Sequence, residues 1–447
     1  MQNVLILGAG ISGLGAAHVL LSEGCHVIIS DLHDVKSANE KKVLSEQGVS
    51  FSIGRQTPEL LSGIDTVVVS PVIPRENPVV QAALMERIPV ISEIELAYRV
   101  TKAPILAVTG TNGKTTTTTL LGSMISQSKK PFALAGNLGI SLSREAKLVP
   151  SYGVIAAEVS SFQLEFIDTF RPKAAVILNI TPDHMERHHT MEAYVAAKAR
   201  IFENMNSADS LLLNLEDPYT KELAKKAAHT HVYYFSTEHE VKEGACLSGD
   251  QLVLRLDGVE VVLCRENELK LKGHHNYGDC LAAAFLAYKG GVPLECIRHA
   301  LMEYKALAHR IEYVRTLNGV EYYNDSKATN TDAVEKALSA FPKPVILIAG
   351  GHDKETPISD FMQCVKKHTK HLILIGAAAA RFKKEAEAAG VSSIQKADSM
   401  TEAVELAHKE AREGDIVLLS PACSSFDMYT CYEERGDDFK RIVNGLK

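Results

Sequence analysis

The chain has 447 residues, of which 46% are hydrophobic and 23% are charged, and its formal net charge is −7. This composition is typical of globular proteins, and the length predicts about three domains. The negative charge argues against a nucleic-acid-binding protein, because phosphate contacts need a basic face.

The cysteines and the apolar segments indicate a cytoplasmic protein. Eight cysteines are scattered along the chain without a Cys-x-x-Cys pair, which predicts reduced thiols. A β-strand pattern starts within three residues of Met1, so we expect no signal peptide. No apolar stretch reaches the ~20 residues that a membrane span needs, so we expect no membrane contact.

The first segment alternates strand, turn, helix and strand. A turn with glycines at 8, 10 and 13 joins a strand at 4–7 to a helix ending near Glu23, and a second strand ends at Asp31. This pattern predicts a parallel sheet, and its glycines fit a dinucleotide-binding fingerprint with Asp31 as the ribose-binding acid. A nicotinamide or flavin nucleotide is the default ligand, with another nucleotide diphosphate as the alternative. A further strand at 65–69 ends at Ser70.

A second glycine turn follows the apolar run 104–108 and begins a helix near Lys114. Its sequence is Gly110-Thr111-Asn112-Gly113-Lys114-Thr115-Thr116. The glycines let backbone N–H groups face phosphate oxygens, Lys114 would reach the β- and γ-phosphates, and Thr115 would place a hydroxyl on Mg²⁺. Position 108, a glycine in the general phosphate-loop consensus, is valine here. The sequence therefore predicts a shortened variant of the loop that binds a nucleoside triphosphate.

Three further side chains are candidates for metal or phosphate chemistry. Glu158 ends a strand at 153–157 and, with Thr115, can hold one Mg²⁺. His184 follows a strand at 174–180 and is either structural or a second metal or phosphate contact. Lys198 has small neighbours that would let it bury, which lowers the pKa of its amine and favours uptake of CO₂ as a carbamate. The alternative for Lys198 is a solvated helix lysine.

The remaining patterns continue the alternation of strands and helices. We expect a strand at 210–214, a hairpin of strands 251–256 and 259–264 turning at Asp257-Gly258, and a helix at 276–289. Strands at 320–323, 345–349, 372–375 and 416–419 follow. The predicted class is α/β with three domains, each a mainly parallel sheet with flanking helices. They are a Rossmann-like N-terminal domain at 1–93, a central P-loop ATPase domain at 94–304 and a Rossmann-like C-terminal domain at 305–447.

An ordered set of segments resembles the Mur ligases of peptidoglycan synthesis. The segments are 110–116, 135–139, 158–163, 179–188, 196–198, 273–276, 308–310, 324–330 and 420–427. The resemblance covers essentially the whole chain in family order. It implies an ATP-dependent, ADP-forming ligase that adds D-glutamate to UDP-N-acetylmuramoyl-L-alanine through an acyl phosphate in the cytoplasm. It also implies two Mg²⁺ ions and small-molecule substrates. We expect a monomer that contacts no nucleic acid and no membrane.

The resemblance also implies a role for each matching residue. The implied catalytic residues are Lys114, Glu158, His184 and carbamylated Lys198. The implied metal ligands are Thr115, Glu158, His184 and Lys198. ATP would be bound by Gly110, Thr111, Asn112, Gly113, Lys114, Thr115 and Thr116, with Asn276 at the adenine, Asp325 at the ribose, and Arg310 and Lys327 at the phosphates. The substrate nucleotide would be lined by Ile11, Ser12, Asp31, Leu32 and Ser70, the muramoyl group by Asn137 and His184, and D-glutamate by Thr329, Lys354, Ser425, Phe426 and Tyr432.

Two positions depart from the family pattern. His33 stands where a basic residue often follows the acid of the second strand, and Leu32 replaces a small polar residue. The base that accepts the proton of the D-glutamate amine is also open, with His309 and His184 as the candidates.

Two alternatives remain at this stage. The first is a relative that adds a different amino acid, including a folylpolyglutamate synthase. The chain lacks the Asp-Asn-Pro-Arg string of the diaminopimelate-adding relative, and its first domain argues against the folate enzyme. The second alternative is of another class. It is either a nicotinamide-dependent dehydrogenase, which would leave the phosphate loop and everything after residue 100 without a role, or a non-catalytic nucleotide-binding or regulatory module.

Overall fold

The computed structural model of the protein describes residues 2–35, 37–271, 274–304, 308–339, 341, 343–354 and 357–447, with the backbone alone at 274 and 275. These residues form two compact units. The first unit extends to Ile180 and adds 192–271 and 276–304. The second unit consists of 181–191, the backbone at 274 and 275, and the described residues from 308 onward.

The first unit begins with a five-stranded parallel sheet. Its strands are β1 (Asn3–Leu7), β2 (His26–Asp31), β3 (Ser50–Ile53), β4 (Thr66–Val69) and β5 (Val90–Ser92), in the order β3-β2-β1-β4-β5. Its helices are α1 (Ile11–Ser22), α2 (Ala38–Glu46), α3 (Pro78–Met85) and α4 (Glu93–Val100). Apart from Asn3, β1 is buried, as expected for a central strand covered on both faces. The carboxyl end of β1 therefore delivers the first glycine turn to the sheet edge where ligands bind.

A nine-stranded sheet follows in the same unit. Its strands are β6 (Ile105–Thr109), β7 (Phe132–Gly136), β8 (Val154–Glu158), β9 (Ala174–Ile177), β10 (Ser210–Asn214), β11 (His231–Ser236), β12 (Gly244–Ser248), β13 (Gln251–Leu256) and β14 (Val259–Arg265). The order is β14-β13-β12-β11-β10-β9-β6-β8-β7, and only the pairs of β13 with β12 and β14 are antiparallel. The phosphate loop leaves β6, which has neighbours on both sides.

The helices of this region are α5 (Lys114–Gln127), α6 (Leu142–Leu148), α7 (Ser161–Leu164), α8 (Met185–His188), α9 (Met191–Ala199), α10 (Thr220–Lys226), α11 (His274–Lys289) and α12 (Leu294–Glu303), of which α8 belongs to the second unit. The predicted hairpin is confirmed, with Asp257 and Gly258 both at positive φ between β13 and β14. The strand predicted at 174–180 is too long, because β9 ends at Ile177. Short 3₁₀ helices cover Pro58–Leu61, Arg200–Phe202 and Glu266–Glu268.

The second unit contains a six-stranded sheet. Its strands are β15 (Glu312–Leu317), β16 (Val320–Asn324), β17 (Val345–Gly350), β18 (Thr369–Ile375), β19 (Ile394–Lys396) and β20 (Ile416–Leu419), in the order β15-β16-β20-β17-β18-β19. Only β15 pairs antiparallel. The helices are α13 (Thr331–Ser339), α14 (Ser359–His368), α15 (Ala379–Ala389), α16 (Met400–Glu410) and α17 (Tyr432–Gly445).

The predicted α/β class, with three mainly parallel sheets flanked by helices, is confirmed. The domain boundaries at 93 and 304 stay predictions. Within the described part of the chain, every helix is too short or too polar to cross a membrane.

Candidate active site

The phosphate loop joins the buried strand β6 to α5. Gly113 has a φ of +85°, and a Cβ there would lie 2.3 Å from Oδ1 of Asp279. No capping side chain bonds the start of α5. Only glycine fits this position, and the helix N-terminus behind it favours an anionic ligand. The left-handed backbone at Gly113 and the uncapped N-terminus of α5 are therefore present, whereas phosphate binding stays a prediction.

Two side chains hydrogen-bond to this loop, and the sequence had not indicated either of these contacts. Asn179 receives a hydrogen bond from the Asn112 N–H at 2.8 Å and returns one from its amide to the Asn112 carbonyl oxygen at 3.0 Å. The hydroxyl of Tyr194 lies 3.2 Å from Oγ1 of Thr111. Asn179 follows β9 by two residues, and such a polar residue at the carboxyl edge of a strand is the signal that could have found it.

Lys114 lies against its own loop. Its Nζ donates to the carbonyl oxygens of Gly110 at 2.8 Å and Thr111 at 2.7 Å. The neighbouring Thr115 is half-buried in the first turn of α5, and Thr116 is buried. The loop thus carries a positive charge at the N-terminus of α5, as phosphate binding requires, while the N–H groups of Thr111 and Asn112 donate to Asn179.

Glu158 is a buried carboxylate with one open oxygen. Its side chain is 2% exposed at the end of β8, paired in register with Val108 of β6. Oε1 accepts a hydrogen bond from Nδ2 of Asn137 at 2.9 Å, whereas Oε2 has no hydrogen-bond partner among the described residues. A buried carboxylate oxygen is unfavourable unless a cation or donor meets it, so this atom fits a Mg²⁺ ligand.

Lys198 is 1% exposed, so the surface-lysine alternative is wrong for this residue. Its Nζ donates to the carbonyl oxygen of Gly110 at 2.7 Å and lies 4.6 Å from the centre of the Tyr194 ring. The side chain therefore reaches the phosphate loop from α9. Among the described residues, no group of three His, Cys, Asp or Glu side chains forms a metal site on its own.

A cavity of about 530 Å³ lies beside the first glycine turn. Of the residues assigned to the substrate nucleotide, Ile11 and Asp31 line it, together with His33, whereas Ser12 and Ser70 do not. Ser70 instead supports the turn, because its hydroxyl donates to the Gly8 carbonyl oxygen at 3.2 Å. Both carboxylate oxygens of Asp31 accept backbone hydrogen bonds, from Ala9 at 2.7 Å and from His33 at 3.0 Å. Leu32 is exposed.

The second unit holds the residues assigned to ribose and phosphate. Asp325 is buried, and its carboxylate accepts hydrogen bonds from Ser420 Oγ at 2.6 Å and the Ile311 N–H at 3.2 Å. Burial raises the pKa of Asp325 to about 7. Nζ of Lys327 lies 3.2 Å from the hydroxyl of Tyr432. Arg310 is half-buried, two residues before β15. His309 is buried, which lowers its pKa, and Nδ1 lies 2.9 Å from Nδ2 of Asn324.

Lys354 forms an ion pair that the sequence did not indicate. Its Nζ lies 2.8 Å from Oδ1 of Asp183, whose other carboxylate oxygen accepts from Asn330 at 3.2 Å. Despite burial, the positive charges of Lys354 and His184 lower the pKa of Asp183 to about 2. The imidazole of His184 lies 3.6 Å from Asp183 and 3.4 Å from Glu186.

The other residues assigned to D-glutamate differ in exposure. Thr329 and Tyr432 are half-buried, Ser425 is buried and Phe426 is exposed. The first unit thus brings the phosphate loop, Glu158, Asn137 and Lys198 together. Asn276, which was assigned to the adenine, is buried on α11 of the same unit. His184, Arg310, Asp325, Lys327 and Lys354 belong to the second unit.

Comparison with known proteins places this fold and site in a family. Three family models match: the MurD-like N-terminal domain of Mur ligases at residues 2–92, the Mur ligase middle domain at 108–287 and the glutamate ligase domain of Mur ligases at 309–423. The chain belongs to the Mur ligase family.

Curated relatives match along the whole chain. A UDP-N-acetylmuramoylalanine–D-glutamate ligase of Pelotomaculum thermopropionicum is 45% identical over 100% of this chain and 98% of its own length. The ligase of the same name from Lachnoclostridium phytofermentans is 40% identical, with the same two coverages.

Solved structures agree on the fold. A pseudomurein peptide ligase type C from Methanothermus fervidus superposes with a TM-score of 0.64 at 20% identity, with full coverage of both chains. A MurF ligase from Thermotoga maritima, solved in complex with ADP, gives a TM-score of 0.59 at 16% identity over 94% of this chain and 95% of that one.

Proposed function

We propose that the protein is an ATP-dependent, ADP-forming ligase that adds D-glutamate to UDP-N-acetylmuramoyl-L-alanine in the cytoplasmic part of peptidoglycan synthesis. Relatives of that name, 40–45% identical over the full chain, support the substrates. The observation that carries the chemistry is the phosphate loop with the open carboxylate oxygen of Glu158 at the neighbouring strand end.

The first step is phosphoryl transfer to the L-alanyl carboxylate of the substrate. A carboxylate oxygen attacks the γ-phosphorus of ATP, the bond to the β-phosphate oxygen breaks, and an acyl phosphate and ADP result. Lys114 and the N–H groups at the N-terminus of α5 would stabilise the negative charge that concentrates on the transferred group. The Lys114 ammonium group is held beside the loop for this task by two carbonyl oxygens.

We assign two Mg²⁺ ions to the reaction, and the open oxygen of Glu158 supports the first. Thr115 and Glu158 would hold the first, and His184 with carbamylated Lys198 would hold or support the second. When bound, the ions offset the repulsion between the anionic carboxylate and the phosphates. The burial of Lys198 supports the carbamate, because a buried amine is neutral more often and is then nucleophilic towards CO₂.

The second step forms the amide bond. The neutral amine of D-glutamate attacks the acyl carbonyl carbon, a tetrahedral intermediate forms, and inorganic phosphate leaves as the carbon–oxygen bond breaks. D-glutamate would be held by Lys354, Thr329, Ser425, Phe426 and Tyr432. Lys354 would exchange its ion pair with Asp183 for one with a substrate carboxylate. His309 and His184 are the candidate proton acceptors.

The second unit would also contribute to ATP binding. Arg310 and Lys327 would contact the phosphates and Asp325 the ribose, while Asn276 of the first unit would contact the adenine. The cavity beside Ile11 and Asp31 would take the uridine diphosphate end of the substrate. The site must exclude water from the acyl phosphate, which otherwise hydrolyses. The protein would act as a monomer.

Phosphate release with each amino acid as co-substrate tests this function. We expect release only when ATP, Mg²⁺, UDP-N-acetylmuramoyl-L-alanine and D-glutamate are all present, with the amide product detected by mass spectrometry. L-glutamate and meso-diaminopimelate are the matched co-substrate controls. Product with another amino acid and none with D-glutamate would refute the substrate assignment. Reduction of NAD without phosphate release would refute the reaction class.

A further inference from the structure

The cavity beside the first glycine turn is lined from two parts of the first unit. Ala9, Gly10 and Ile11 at the start of α1 form one wall, with the loop after β2 beside them. Residues 139–141 and the first turn of α6, including Arg144, form the opposite wall. No side chain caps α1, so the N–H groups of its first turn are available to an anion.

The charged side chains that line this cavity are acidic, with one exception. Four carboxylates line it, those of Asp31, Asp34, Glu40 and Glu145. Arg144 is the only lysine or arginine among the lining residues that the structure describes. A nucleoside diphosphate carries at least two negative charges, so a cation beside it is needed to offset the repulsion from these carboxylates.

Three of the four carboxylates have partners other than Arg144. Asp31 accepts two backbone N–H groups, Asp34 lies 2.5 Å from Nζ of Lys41, and Glu40 lies 3.0 Å from Nε2 of His18. The Arg144 guanidinium is 3.7 Å from Glu40, which is beyond hydrogen-bonding distance. Arg144 can therefore turn to a ligand without leaving any of these three carboxylates unpaired.

The close packing of α1 against α6 places Arg144 at the cavity. A Cβ on Gly15 would lie 2.0 Å from Oγ of Ser141 and 3.7 Å from Cβ of Arg144, so only glycine permits this approach. The buried carboxylate of Glu93 then fixes the start of α6, because Oε1 accepts hydrogen bonds from the Ser141 hydroxyl at 2.6 Å and the Ser143 N–H at 2.6 Å. The Arg144 side chain itself is 55% exposed and free to reorient.

We propose that Arg144 binds the diphosphate of the nucleotide substrate opposite the N-terminus of α1, an inference that rests on the proposed function. The diphosphate is then held between the backbone N–H groups in the first turn of α1 and the guanidinium of Arg144 on α6. Arginine suits this role because its planar fork can donate two hydrogen bonds to one phosphate. The residue thereby contributes to selecting a nucleoside diphosphate over an uncharged nucleoside.

Binding of UDP and of uridine, measured by calorimetry at low salt, tests the proposal. Arg144→Ala should weaken UDP binding at least about tenfold, because a charge-assisted hydrogen bond is lost, and should leave uridine binding unchanged. The affinity of the variant for UDP should also depend less on salt. Arg144→Lys should recover part of the affinity. Lys147→Ala is the matched control, since Lys147 lies on the same helix and pairs with Glu23 but does not line the cavity.

The outcomes separate this inference from the proposed function. Equal UDP affinity in the wild type and Arg144→Ala would overturn the inference alone, as would an equal loss of UDP and uridine binding. A wild type that binds no UDP and forms no product from UDP-N-acetylmuramoyl-L-alanine would overturn both. A loss of UDP affinity in Lys147→Ala as large as that in Arg144→Ala would show that helix packing, and not the guanidinium, is responsible.

Discussion

Nζ of Lys198 lies 2.7 Å from the carbonyl oxygen of Gly110, so a buried amine of α9 meets the loop that we assign to the ATP phosphates. A protonated lysine at this point only supports the loop. A carbamate on the same atom would instead add a negative oxygen ligand to the site. Replacing Lys198 is therefore expected to have different effects in the two cases.

We expect Lys198→Ala to lower kcat at least about 100-fold, because a charged group at the transferring phosphate is lost. Acetate should restore part of the activity, since its carboxylate can occupy the place of the carbamate. Intact-protein mass spectrometry under CO₂ should detect the adduct on the wild type. The control is Lys289→Ala, since Lys289 also lies over a tyrosine ring, 4.2 Å from the centre of Tyr233, but away from the loop. Full activity of Lys198→Ala would contradict the carbamate.

The open oxygen of Glu158 leads to a second prediction. Glu158→Gln keeps the acceptor for Asn137 but replaces the other oxygen by an amide nitrogen that cannot bind a metal. We expect kcat to fall about 100-fold and the Mg²⁺ concentration for half-maximal activity to rise. Without Mg²⁺, the variant should be at least as stable to heat as the wild type, because a buried negative charge is removed.

The exposed Glu192→Gln is the control for Glu158→Gln, because it makes the same chemical change on the surface of the first unit. An unchanged Mg²⁺ dependence in Glu158→Gln would remove Glu158 from the metal site. A marked loss of thermal stability in that variant would show that its carboxylate has a structural partner.

The ion pair between Lys354 and Asp183 complicates the test of the D-glutamate site. Lys354→Met should raise the KM for D-glutamate much more than the KM for ATP. It should also destabilise the second unit by about 3 kcal/mol, because it leaves the buried Asp183 carboxylate without its cation. The double variant Lys354→Met, Asp183→Asn should regain most of that stability, which thermal unfolding measures.

The same double variant separates packing from recognition. If Lys354 binds D-glutamate, the KM for D-glutamate stays high after stability returns. A KM that recovers together with the stability would mean that Lys354 supports the fold only.

The raised pKa of Asp325 gives a prediction for pH dependence. Burial favours the protonated carboxyl in the folded state, with a pKa of about 7 against 3.8 for the ordinary group. The folded protein then binds more protons than the unfolded chain between these values, so this residue's contribution to stability falls as pH rises towards 7. The slope is at most about 1.4 kcal/mol per pH unit.

Asp325→Asn removes this titration while keeping a hydrogen-bonding side chain next to Ser420. We expect the thermal midpoint of the wild type, relative to that of Asp325→Asn, to fall between pH 5 and pH 7. A difference that stays constant over this range would show that Asp325 is ionised in the folded protein throughout. The variant should also bind ATP more weakly if Asp325 contacts the ribose.

Local sequence patterns were sufficient to predict the strand-to-helix turn at 110–114 and the position of Glu158 at the end of a strand. A buried strand followed by Gly110, Gly113 and Lys114 constrains the backbone within seven residues, and a charged residue at the end of an apolar strand must lie at a sheet edge. Order along the chain also indicated the family, which the full-length relatives confirm. The small neighbours of Lys198 allowed its burial but left a solvated helix lysine as the alternative, and the structure shows the residue buried.

Contacts between distant segments could not be predicted in this way. Lys354 and Asp183 are 171 residues apart, and neither sequence context indicates the other. The amide pair of Asn112 with Asn179, and the approach of Asp279 to Gly113, likewise depend on how sheets and helices pack.

The cavity beside the first glycine turn shows the same division. The glycine turn after β1 and the acid at the end of β2 could be predicted from the sequence, because backbone conformation and strand ends are local properties. The sequence did not predict that backbone N–H groups would donate to Asp31, or that Arg144 of α6 would line the cavity. These partners depend on the close approach of α1 and α6 at Gly15, which no spacing along the chain encodes.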